Sequence, residues 1–415
     1  MITATAEKIL PGGEALVRLG GEAVLVANAV PGDVLAIQMQ ARRRGVQRAE
    51  IIEVIEASPE RVNAPCPVAA QCGGCAMQFI SIEDQAAVKS GWVMDAFKSL
   101  IDSDIEWIPV HSNLDRYRRR VRWVVGYDEG ETFLGFYAPA SHQPVRHANC
   151  MVVSPELNAV RQLIEQNVNL RETDSVQAVR LDDGIHIILE ADTCPECNQK
   201  DQLDGVPLQW WWRDDKRITR PLKKPVRLFH DVLPAGKAEE VRLAIGPDDF
   251  VQGQQEGNRE LITQIQGWAG SVTRIADLFC GIGNLSLPLA VATGAQGFGA
   301  ELNAASVRAA SRNAKALCIS AHFVVANLFE DFDMEPYIGA DVLILDPPRR
   351  GAKRLCNQIS RLMPKKVIMI SCDVAAGGRD ATLLLKQGYR PKALRALDMF
   401  PYAGHVEAMS LWERG

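Results

Sequence analysis

Cysteine and aspartate residues that directly follow short apolar segments are the first candidates for chemistry in this chain. Cys372 follows the segment 366–371, and Asp346 follows the segment 342–345. Both segments are short and rich in β-branched residues, which predicts buried parallel strands. Ligands of open α/β sheets bind beyond the carboxyl ends of the strands. Cys372 is therefore predicted to lie where a nucleophile would face a bound cofactor, although a lone cysteine is more often a small buried apolar residue.

Two carboxylates are candidates for a general base and for a positioning group. Two prolines follow Asp346. Because proline fixes φ, they are expected to hold this carboxylate at the sheet edge near cofactor and substrate; the alternative is a plain end of a strand. Glu407 lies within the apolar segment 404–412. Burial there would raise its pKa and suit a general base, and the alternative is a salt bridge with an arginine.

A glycine-rich segment, 277–284, follows another predicted strand and precedes a predicted helix. Glycines let the backbone approach a ligand closely. Glu301 ends the next predicted strand, 17 residues after Asn284, and a carboxylate at that position suits a ribose diol. The segment is shorter than a dinucleotide fingerprint and lacks the Lys-Ser/Thr of a phosphate loop. It therefore favours S-adenosylmethionine over a tight turn without a ligand.

Ten cysteines are present, and four of them have spacings typical of a metal site: Cys66, Cys72, Cys75 and Cys150. The first three are separated by five and two residues, and the fourth is distant in sequence. This spacing suits zinc or an iron–sulfur cluster and does not choose between them. A second pair, Cys194 and Cys197, is half a zinc site at most, so we interpret it as an incidental pair in a loop.

Composition and charge limit the class of protein. The 415 residues have a net charge of −5, which by itself does not suggest a nucleic-acid binder. Neither an uninterrupted apolar run of membrane-spanning length nor a secretory signal is evident, which predicts a cytoplasmic protein without a membrane span. However, residues 116–122 include five arginines, and residues 213–227 include seven basic residues against two acidic ones. These clusters predict either a phosphate-binding face or a solvated charged face, at even odds.

The pattern of strands and helices predicts three domains. Short strand-like segments separated by glycine turns predict a small β-barrel over 1–57. Alternating apolar and polar residues predict a β-rich domain within 58–245. From 246 to 415 strands alternate with helices, which predicts a doubly wound α/β domain closed by a C-terminal antiparallel hairpin.

The tryptophans at 210–212 are predicted to be packing residues or an exposed patch rather than a base-stacking platform.

Together these motifs resemble the RNA 5-methyluridine methyltransferase family, specifically its iron–sulfur-containing ribosomal RNA branch. The resemblance extends over nearly the whole chain, and the elements appear in the expected order. Segment 1–57 resembles a TRAM domain, an RNA-binding barrel, through Gly12-Gly13 and Val30-Pro-Gly-Asp33. Three further segments resemble the family's Phe-x-Gln, nucleophile and base motifs: Phe250-Val-Gln252, Ser371-Cys372 and Gly404-His-x-Glu407.

The resemblance implies a fold and a set of site residues. The fold is α/β plus β, with a C-terminal Rossmann-like methyltransferase domain, an N-terminal OB-like TRAM barrel and a central β-rich domain. The implied ligands of a 4Fe-4S cluster are Cys66, Cys72, Cys75 and Cys150. The implied contacts of S-adenosylmethionine are Gln252, Phe279, Asn284, Glu301, Asn327 and Asp346. Cys372 is the implied nucleophile and Glu407 the implied base, with Asp346 as a further catalytic residue.

The resemblance also implies a reaction, which is methylation of carbon 5 of a uridine in RNA, with 23S ribosomal RNA favoured over transfer RNA. In this hypothesis Cys372 adds to carbon 6, carbon 5 takes the methyl group, and Glu407 removes the carbon 5 proton. Two departures from the family pattern concern the site. Ser371-Cys-Asp-Val374 stands in place of the usual Ser-Cys-Asn-Pro, and Gln254 in place of an asparagine.

Two alternatives remain at this stage. One is methyl transfer to nitrogen or to a non-RNA acceptor, which needs no thiol. The other is a non-catalytic RNA-binding protein in which Asp373 and Val374 mark a decayed site. For an RNA-binding protein, catalytic or not, we expect a monomer whose partner is RNA. We expect it to bind neither DNA nor a membrane.

Overall fold

The computed structural model describes residues 2–43, 45–100, 105–111 and 116–415. Its N-terminal strands close into a barrel in the order β1-β2-β3-β5-β4. Apolar residues such as Val17, Val24 and Leu35 fill the interior. The barrel predicted from the glycine-punctuated strands is therefore confirmed, and its strands are β1 (Ile2–Ile9), β2 (Ala15–Leu19), β3 (Glu22–Val26), β4 (Val34–Met39) and β5 (Gln47–Glu56).

A loop that contains three of the candidate metal ligands connects the barrel to α1 (Ile82–Phe97). Ser81 caps α1, because its side chain accepts a hydrogen bond from the backbone N–H of Asp84 at 3.1 Å. Trp92 on α1 donates its indole N–H to the backbone oxygen of Ile9 at 2.8 Å. This bond fixes the helix against the barrel. A short strand, β6 (Glu106–Ile108), follows.

The central region is a second, mainly antiparallel sheet in the order β12-β13-β11-β10-β7-β8-β9, with β14 paired to β13. Helix α2 packs on one face, where its Leu157 joins a buried cluster with Trp123 and Trp210. The elements are β7 (Arg120–Asp128), β8 (Glu131–Tyr137), β9 (Pro144–Val145), α2 (Pro155–Asn167), β10 (Ser175–Leu181), β11 (Gly184–Glu190), β12 (Gln202–Leu203), β13 (Val206–Arg213) and β14 (Thr219–Pro221). A hairpin of β15 (Phe229–Pro234) and β16 (Glu240–Ile245) leads to the last domain.

The C-terminal domain is a doubly wound α/β sheet. Its elements are α3 (Gln255–Ala269), β17 (Arg274–Leu278), α4 (Ser286–Thr293), β18 (Gln296–Glu301), α5 (Ala304–Ala316), β19 (Ala321–Val325), β20 (Val342–Leu345), α6 (Lys353–Leu362), β21 (Lys366–Ser371), α7 (Val374–Lys386), β22 (Tyr389–Leu397) and β23 (Glu407–Arg414). The strand order is β19-β18-β17-β20-β21-β23-β22-β6. Strands β17 to β21 are parallel, and β23 lies antiparallel between β21 and β22. The predicted Rossmann-like sheet and its closing hairpin are confirmed.

Strand β6 comes from far upstream in sequence but completes the edge of the C-terminal sheet by pairing in parallel with β22. Helix α1 likewise packs against α7 and β22. The segment between the barrel and the central sheet is thus built into the C-terminal core. Among the described residues, no helix combines the length and apolar character that crossing a membrane requires.

Candidate active site and cysteine-lined cavity

Cys372 is the first residue after β21, and Asp373 caps α7 by accepting a backbone N–H at 2.8 Å. The departure from the family pattern at Asp373 therefore still provides a helix start. The Cys372 side chain is partly buried. Burial raises the pKa of Cys372 to about 11, with further contributions from Glu407 and Asp346 and opposition from Arg349. The free protein therefore holds Cys372 as a thiol at neutral pH.

Glu407 is the first residue of β23, and the antiparallel register of β21 and β23 places it beside Cys372. Its side chain is buried. Burial raises the pKa of Glu407 to about 8, the Asp346 carboxylate adds to the rise, and Arg349 opposes it. Within the described ranges no ion pair joins Glu407 to an arginine, so the structure does not support the salt-bridge alternative. A carboxyl group with a pKa near neutrality is suited to accept a proton.

Asp346 directly follows β20, and burial raises its pKa to about 6. A further carboxyl, Asp277 in β17, has its pKa raised to about 7 by burial first and then by Asp346 and Glu301. The hydroxyl of Ser286 donates to Asp277 at 2.5 Å. Asp277 was not among the predicted site residues. The signal that marks it is a charged residue inside an otherwise apolar strand.

The space beside Cys372 and Glu407 is a cleft of about 400 Å³, which three distant parts of the chain enclose. The barrel contributes Gly12, the cysteine-containing loop contributes Gly73, Gly74 and Ala76, and the C-terminal sheet contributes the reactive residues. Arg118, Arg349 and His405 also line it. None of these three was a predicted site residue, although Arg118 lies in the arginine cluster 116–122 and His405 in the base motif Gly404-His-x-Glu407. The cleft can therefore surround a planar ring with cationic groups and a thiol.

The predicted cofactor contacts lie around the ends of β17, β18 and β19 and before α3, and each is partly buried: Gln252, Phe279, Asn284, Glu301 and Asn327. The chain turns sharply after β17, where Phe279 has a φ of +76°. Glu301 accepts backbone N–H groups of Gly281 at 3.3 Å and of Asn303 at 2.9 Å. The carboxylate is thereby fixed at the end of β18, next to the glycine-rich turn.

The four cysteines with metal-site spacing line one cavity of about 40 Å³: Cys66, Cys72, Cys75 and Cys150. Burial raises the pKa of three of these thiols, that of Cys75 to about 11. In the described part of the chain, no three His, Cys, Asp or Glu side chains stand in a metal-ligating arrangement. The structure therefore brings the four thiols to one cavity without itself fixing a coordination geometry.

Comparison with known proteins decides the family. The chain is 30% identical, over 99% of its length and 93% of the relative's, to 23S rRNA (uracil(1939)-C(5))-methyltransferase RlmD of Pectobacterium atrosepticum. It is 31% identical, over 97% of its length and 93% of the relative's, to the protein of the same name from Shewanella sp. strain ANA-3. The chain belongs to the RNA uracil-C5 methyltransferase family. The predicted resemblance is thereby confirmed.

The fold of this uracil-C5 methyltransferase family member also matches a solved structure over its whole length. The crystal structure of Pyrococcus abyssi tRNA (uracil-54, C5)-methyltransferase with S-adenosyl-L-homocysteine gives a TM-score of 0.77 at 19% identity, covering 99% of this chain and 100% of that one. The methyltransferase small domain family matches residues 253–366. That match includes β17 to β20 and five of the six predicted cofactor residues, whereas Gln252 lies just before it.

The basic clusters of this family member divide between structural and exposed arginines. Arg119 is buried in a two-pronged ion pair with Asp231, at 2.6 and 2.8 Å. Arg213 is buried against Glu190, whereas Arg122 and Arg217 approach the same carboxylate with more than half of their side chains exposed. Only part of each cluster is therefore available to a ligand such as phosphate.

Two further predictions concern the central domain. Trp210 and Trp211 are buried, and Trp212 donates its indole N–H to a backbone oxygen at 2.9 Å, so the tryptophans are mainly packing residues. Cys194 is exposed, and Cys197 forms an isolated bridge with Val168. Neither is among the residues that line the described four-cysteine cavity.

Proposed function

We propose that this protein methylates carbon 5 of a specific uridine in 23S ribosomal RNA with S-adenosylmethionine as the methyl donor. The observation that supports it most directly is the convergence of Cys372 and Glu407 on one cleft at the carboxyl end of the sheet. The family relatives named for uracil-C5 methylation of 23S rRNA support the choice of RNA. A uridine must leave its stack to reach this cleft, so a flipped or loop nucleotide is the expected substrate.

Cys372 is the proposed nucleophile. Carbon 5 of uracil is a weak nucleophile, and addition of the Cys372 sulfur to carbon 6 places electron density on carbon 5 and the carbonyl oxygen. S-adenosylmethionine, when bound, supplies the methyl group to carbon 5. Because the pKa of Cys372 is raised to about 11, the thiol has to lose its proton as the substrate binds. Arg349, which opposes that rise, is the group that favours the thiolate.

Glu407 is the proposed general base. After methylation, its carboxylate takes the proton from carbon 5, the bond between Cys372 sulfur and carbon 6 breaks, and the double bond between carbons 5 and 6 is restored. Cys372 is released as a thiolate, which takes up a proton again, and Glu407 passes the carbon 5 proton to solvent, so the protein returns to its starting protonation and the reaction releases one proton. Asp346 is proposed to orient the reacting groups, since its charge affects the pKa of both neighbours.

The cofactor site is proposed to consist of the six residues implied by the family: Gln252, Phe279, Asn284, Glu301, Asn327 and Asp346. Glu301 is suited to the ribose diol, because its carboxylate ends β18 beside the glycine-rich turn. The barrel 1–57 is proposed to be a TRAM-like RNA-binding domain, and 58–245 and 246–415 the central and methyltransferase domains. A cytoplasmic monomer is the proposed state.

A 4Fe-4S cluster on Cys66, Cys72, Cys75 and Cys150 is also proposed. The residues fit such a group, because four thiols share one cavity with largely apolar walls and a glycine, Gly74, beside Cys72. Thiolates rather than thiols bind metal, so the raised thiol pKa values imply that assembly releases protons and weakens in acid. When bound, the cluster would supply a rigid cross-link between the cysteine loop and Cys150.

The decisive experiment uses 23S ribosomal RNA and transfer RNA that contain 5-fluorouridine, with anaerobically purified protein and S-adenosylmethionine. A base cannot remove fluorine from carbon 5 as it removes a proton, so Cys372 cannot be released from carbon 6. The bond between Cys372 and carbon 6 should therefore persist in a denaturing gel. We expect an adduct with 23S RNA that maps to Cys372 and is absent in Cys372→Ala. An adduct with transfer RNA alone would change the substrate. Full methylation by Cys372→Ala would instead indicate a thiol-independent methyltransferase, and RNA binding without product a non-catalytic protein.

A further inference from the structure

His147 lies in the wall of the four-cysteine cavity, three residues before Cys150. Its side chain is only 7% exposed, and its ring stacks on Phe136 with centroids 5.0 Å apart and an interplanar angle of 22°. Both ring nitrogens are buried, and neither has a hydrogen-bond partner among the described residues. A polar ring in this position is unusual, because the other wall residues are mostly apolar or sulfur-containing.

An imidazole that is buried without a hydrogen-bond partner costs free energy, and buried polar groups in folded proteins are nearly always satisfied. Phe136 fixes the ring plane but offers no acceptor. The cysteine sulfur atoms line the same cavity as His147 and are acceptors that its wall provides. A neutral imidazole always has one N–H donor, whichever tautomer is present.

We propose that His147 donates a hydrogen bond to a sulfur atom of the four-cysteine centre and raises the reduction potential of that centre. This inference rests on the 4Fe-4S cluster proposed above. Hydrogen bonds to the sulfurs are among the factors that set the potential of iron–sulfur clusters. An N–H donor stabilises the more negative, reduced form more strongly, so its loss lowers the potential.

Ligation of iron by His147 is not required, because four cysteines already provide one ligand for each iron of such a cluster. Arg118 and His147 differ in the cavities that they line. Arg118 lines both the cysteine cavity and the catalytic cleft, so its charge acts on both. His147 lines the cysteine cavity and is absent from the residues described around the catalytic cleft, so its substitution should act on the cluster rather than on RNA contacts.

The test compares anaerobically purified wild type with His147→Leu, His147→Asn and His147→Gln. Midpoint potentials are measured by redox titration followed by electron paramagnetic resonance. We expect the potential of His147→Leu to fall by about 59 mV, which corresponds to a tenfold change in the one-electron equilibrium constant. The amide N–H lies near the position of Nδ1 in Asn and near that of Nε2 in Gln, so one of these two variants should keep the wild-type potential. Met151→Leu, another change in the cavity wall, is the matched control and should leave the potential unchanged.

Iron and sulfide analysis of the wild type separates the two possible failures. Wild type without iron and sulfide, or with zinc, would overturn the proposed cluster and this inference with it. A normal cluster whose potential is the same in wild type and His147→Leu would overturn the role of His147 alone. If His147→Leu does not assemble the cluster, His147→Phe is measured instead, since its ring retains the stack on Phe136. The same lowered potential is expected there, and an unchanged one would refute the inference.

Discussion

At the scale of single residues, the site depends on how burial separates the proton affinities of neighbouring groups. The pKa of Asp346 is raised to about 6, that of Glu407 to about 8 and that of Cys372 to about 11. Asp346 is therefore mostly ionised at neutral pH, whereas Glu407 and Cys372 are mostly protonated in the free protein. Groups whose environments separate their pKa values in this way can take different acid and base roles at one pH.

Replacing Glu407 by Gln should stop turnover after methyl transfer, because the amide cannot accept the carbon 5 proton. We expect a methylated RNA adduct of Glu407→Gln to accumulate on Cys372, with turnover reduced by about 10²-fold or more. Denaturing gels with S-adenosylmethionine labelled in the methyl group measure it. The double variant Cys372→Ala/Glu407→Gln is the control and should form no adduct. Normal turnover by Glu407→Gln would remove this carboxylate from the proposed role.

The raised pKa of Glu407 also predicts a pH dependence. A general base acts when deprotonated, and Cys372 must also lose its proton, so kcat/KM should rise with pH. The slope of the rise should fall near a pKa of about 8, where Glu407 becomes ionised while Cys372, with a pKa of about 11, is still a thiol. Glu407→Asp should retain this rising limb at lower activity. Steady-state methylation over a neutral to alkaline pH range measures it. A rise without a change of slope near pH 8 would mean that Glu407 is already ionised in the free enzyme.

At the scale of elements, a buried ion pair joins the central domain to the proposed cofactor segment around Gln252. Arg119 precedes β7, and its Nε donates to the backbone oxygen of Gln252 at 2.9 Å while its other nitrogens bind Asp231 on β15. The backbone N–H of Arg119 also donates to Gly253 at 2.9 Å. The start of β7 and strand β15, which belong to two sheets, therefore together fix the main chain of the segment that contains Gln252.

Asp231→Asn should weaken this brace and thereby raise the KM for S-adenosylmethionine more than it lowers kcat. Removing one partner of a buried ion pair also costs about 3–5 kcal/mol of stability. Steady-state methylation with varied S-adenosylmethionine and denaturant unfolding measure the two effects. Asp183→Asn changes a partly exposed carboxylate that bonds His230 on the same hairpin, and it should leave the KM unchanged. An equal rise in both variants would contradict a specific role of the brace.

At the scale of the whole molecule, the catalytic cleft exists only because the barrel, the cysteine loop and the C-terminal loop meet. The backbone N–H of Gly12 donates to the oxygen of Gly404 at 2.8 Å, and Met77 donates to Tyr402 at 2.9 Å. The phenol of Tyr117 donates to Pro401 at 2.8 Å. These bonds fix the loop that leads into β23. The cysteine loop and the barrel therefore both determine the position of Glu407, the first residue of β23.

Gly404→Ala should disrupt this junction. A Cβ atom at Gly404 would lie 2.2 Å from the backbone of Gly12, so the loop or the barrel must shift. A displacement of the reacting groups on the ångström scale costs about 10²-fold in rate. Single-turnover methylation measures it, with circular dichroism to verify folding. Gly267→Ala, where a Cβ meets no described atom within 4 Å, should retain full activity, and equal activity of the two variants would mean that the junction is not needed.

The sequence by itself determined the local secondary structure of this protein and the types of its candidate reactive residues. The segments 342–345 and 366–371 were identifiable as buried strands because apolar and β-branched residues cluster within a few positions, and Cys372, Asp346 and Glu407 were identifiable because each stands out at the edge of such a segment. The barrel, the Rossmann-like sheet and the closing hairpin followed from the same short-range patterns and are confirmed.

Only the tertiary structure decided what these residues meet. The pairing of β6 with β22, the contact of Gly12 with Gly404 and the brace from Arg119 join positions separated by more than 100 residues, and no local pattern encodes them. The pKa values of Asp346, Glu407 and Cys372 also depended on the tertiary structure, since burial and neighbouring carboxylates are properties of packing rather than of sequence. A propensity acts over a few residues, whereas a contact between distant segments is selected by the packing of the whole chain. For that reason the cleft that these segments enclose could be seen only in the folded molecule.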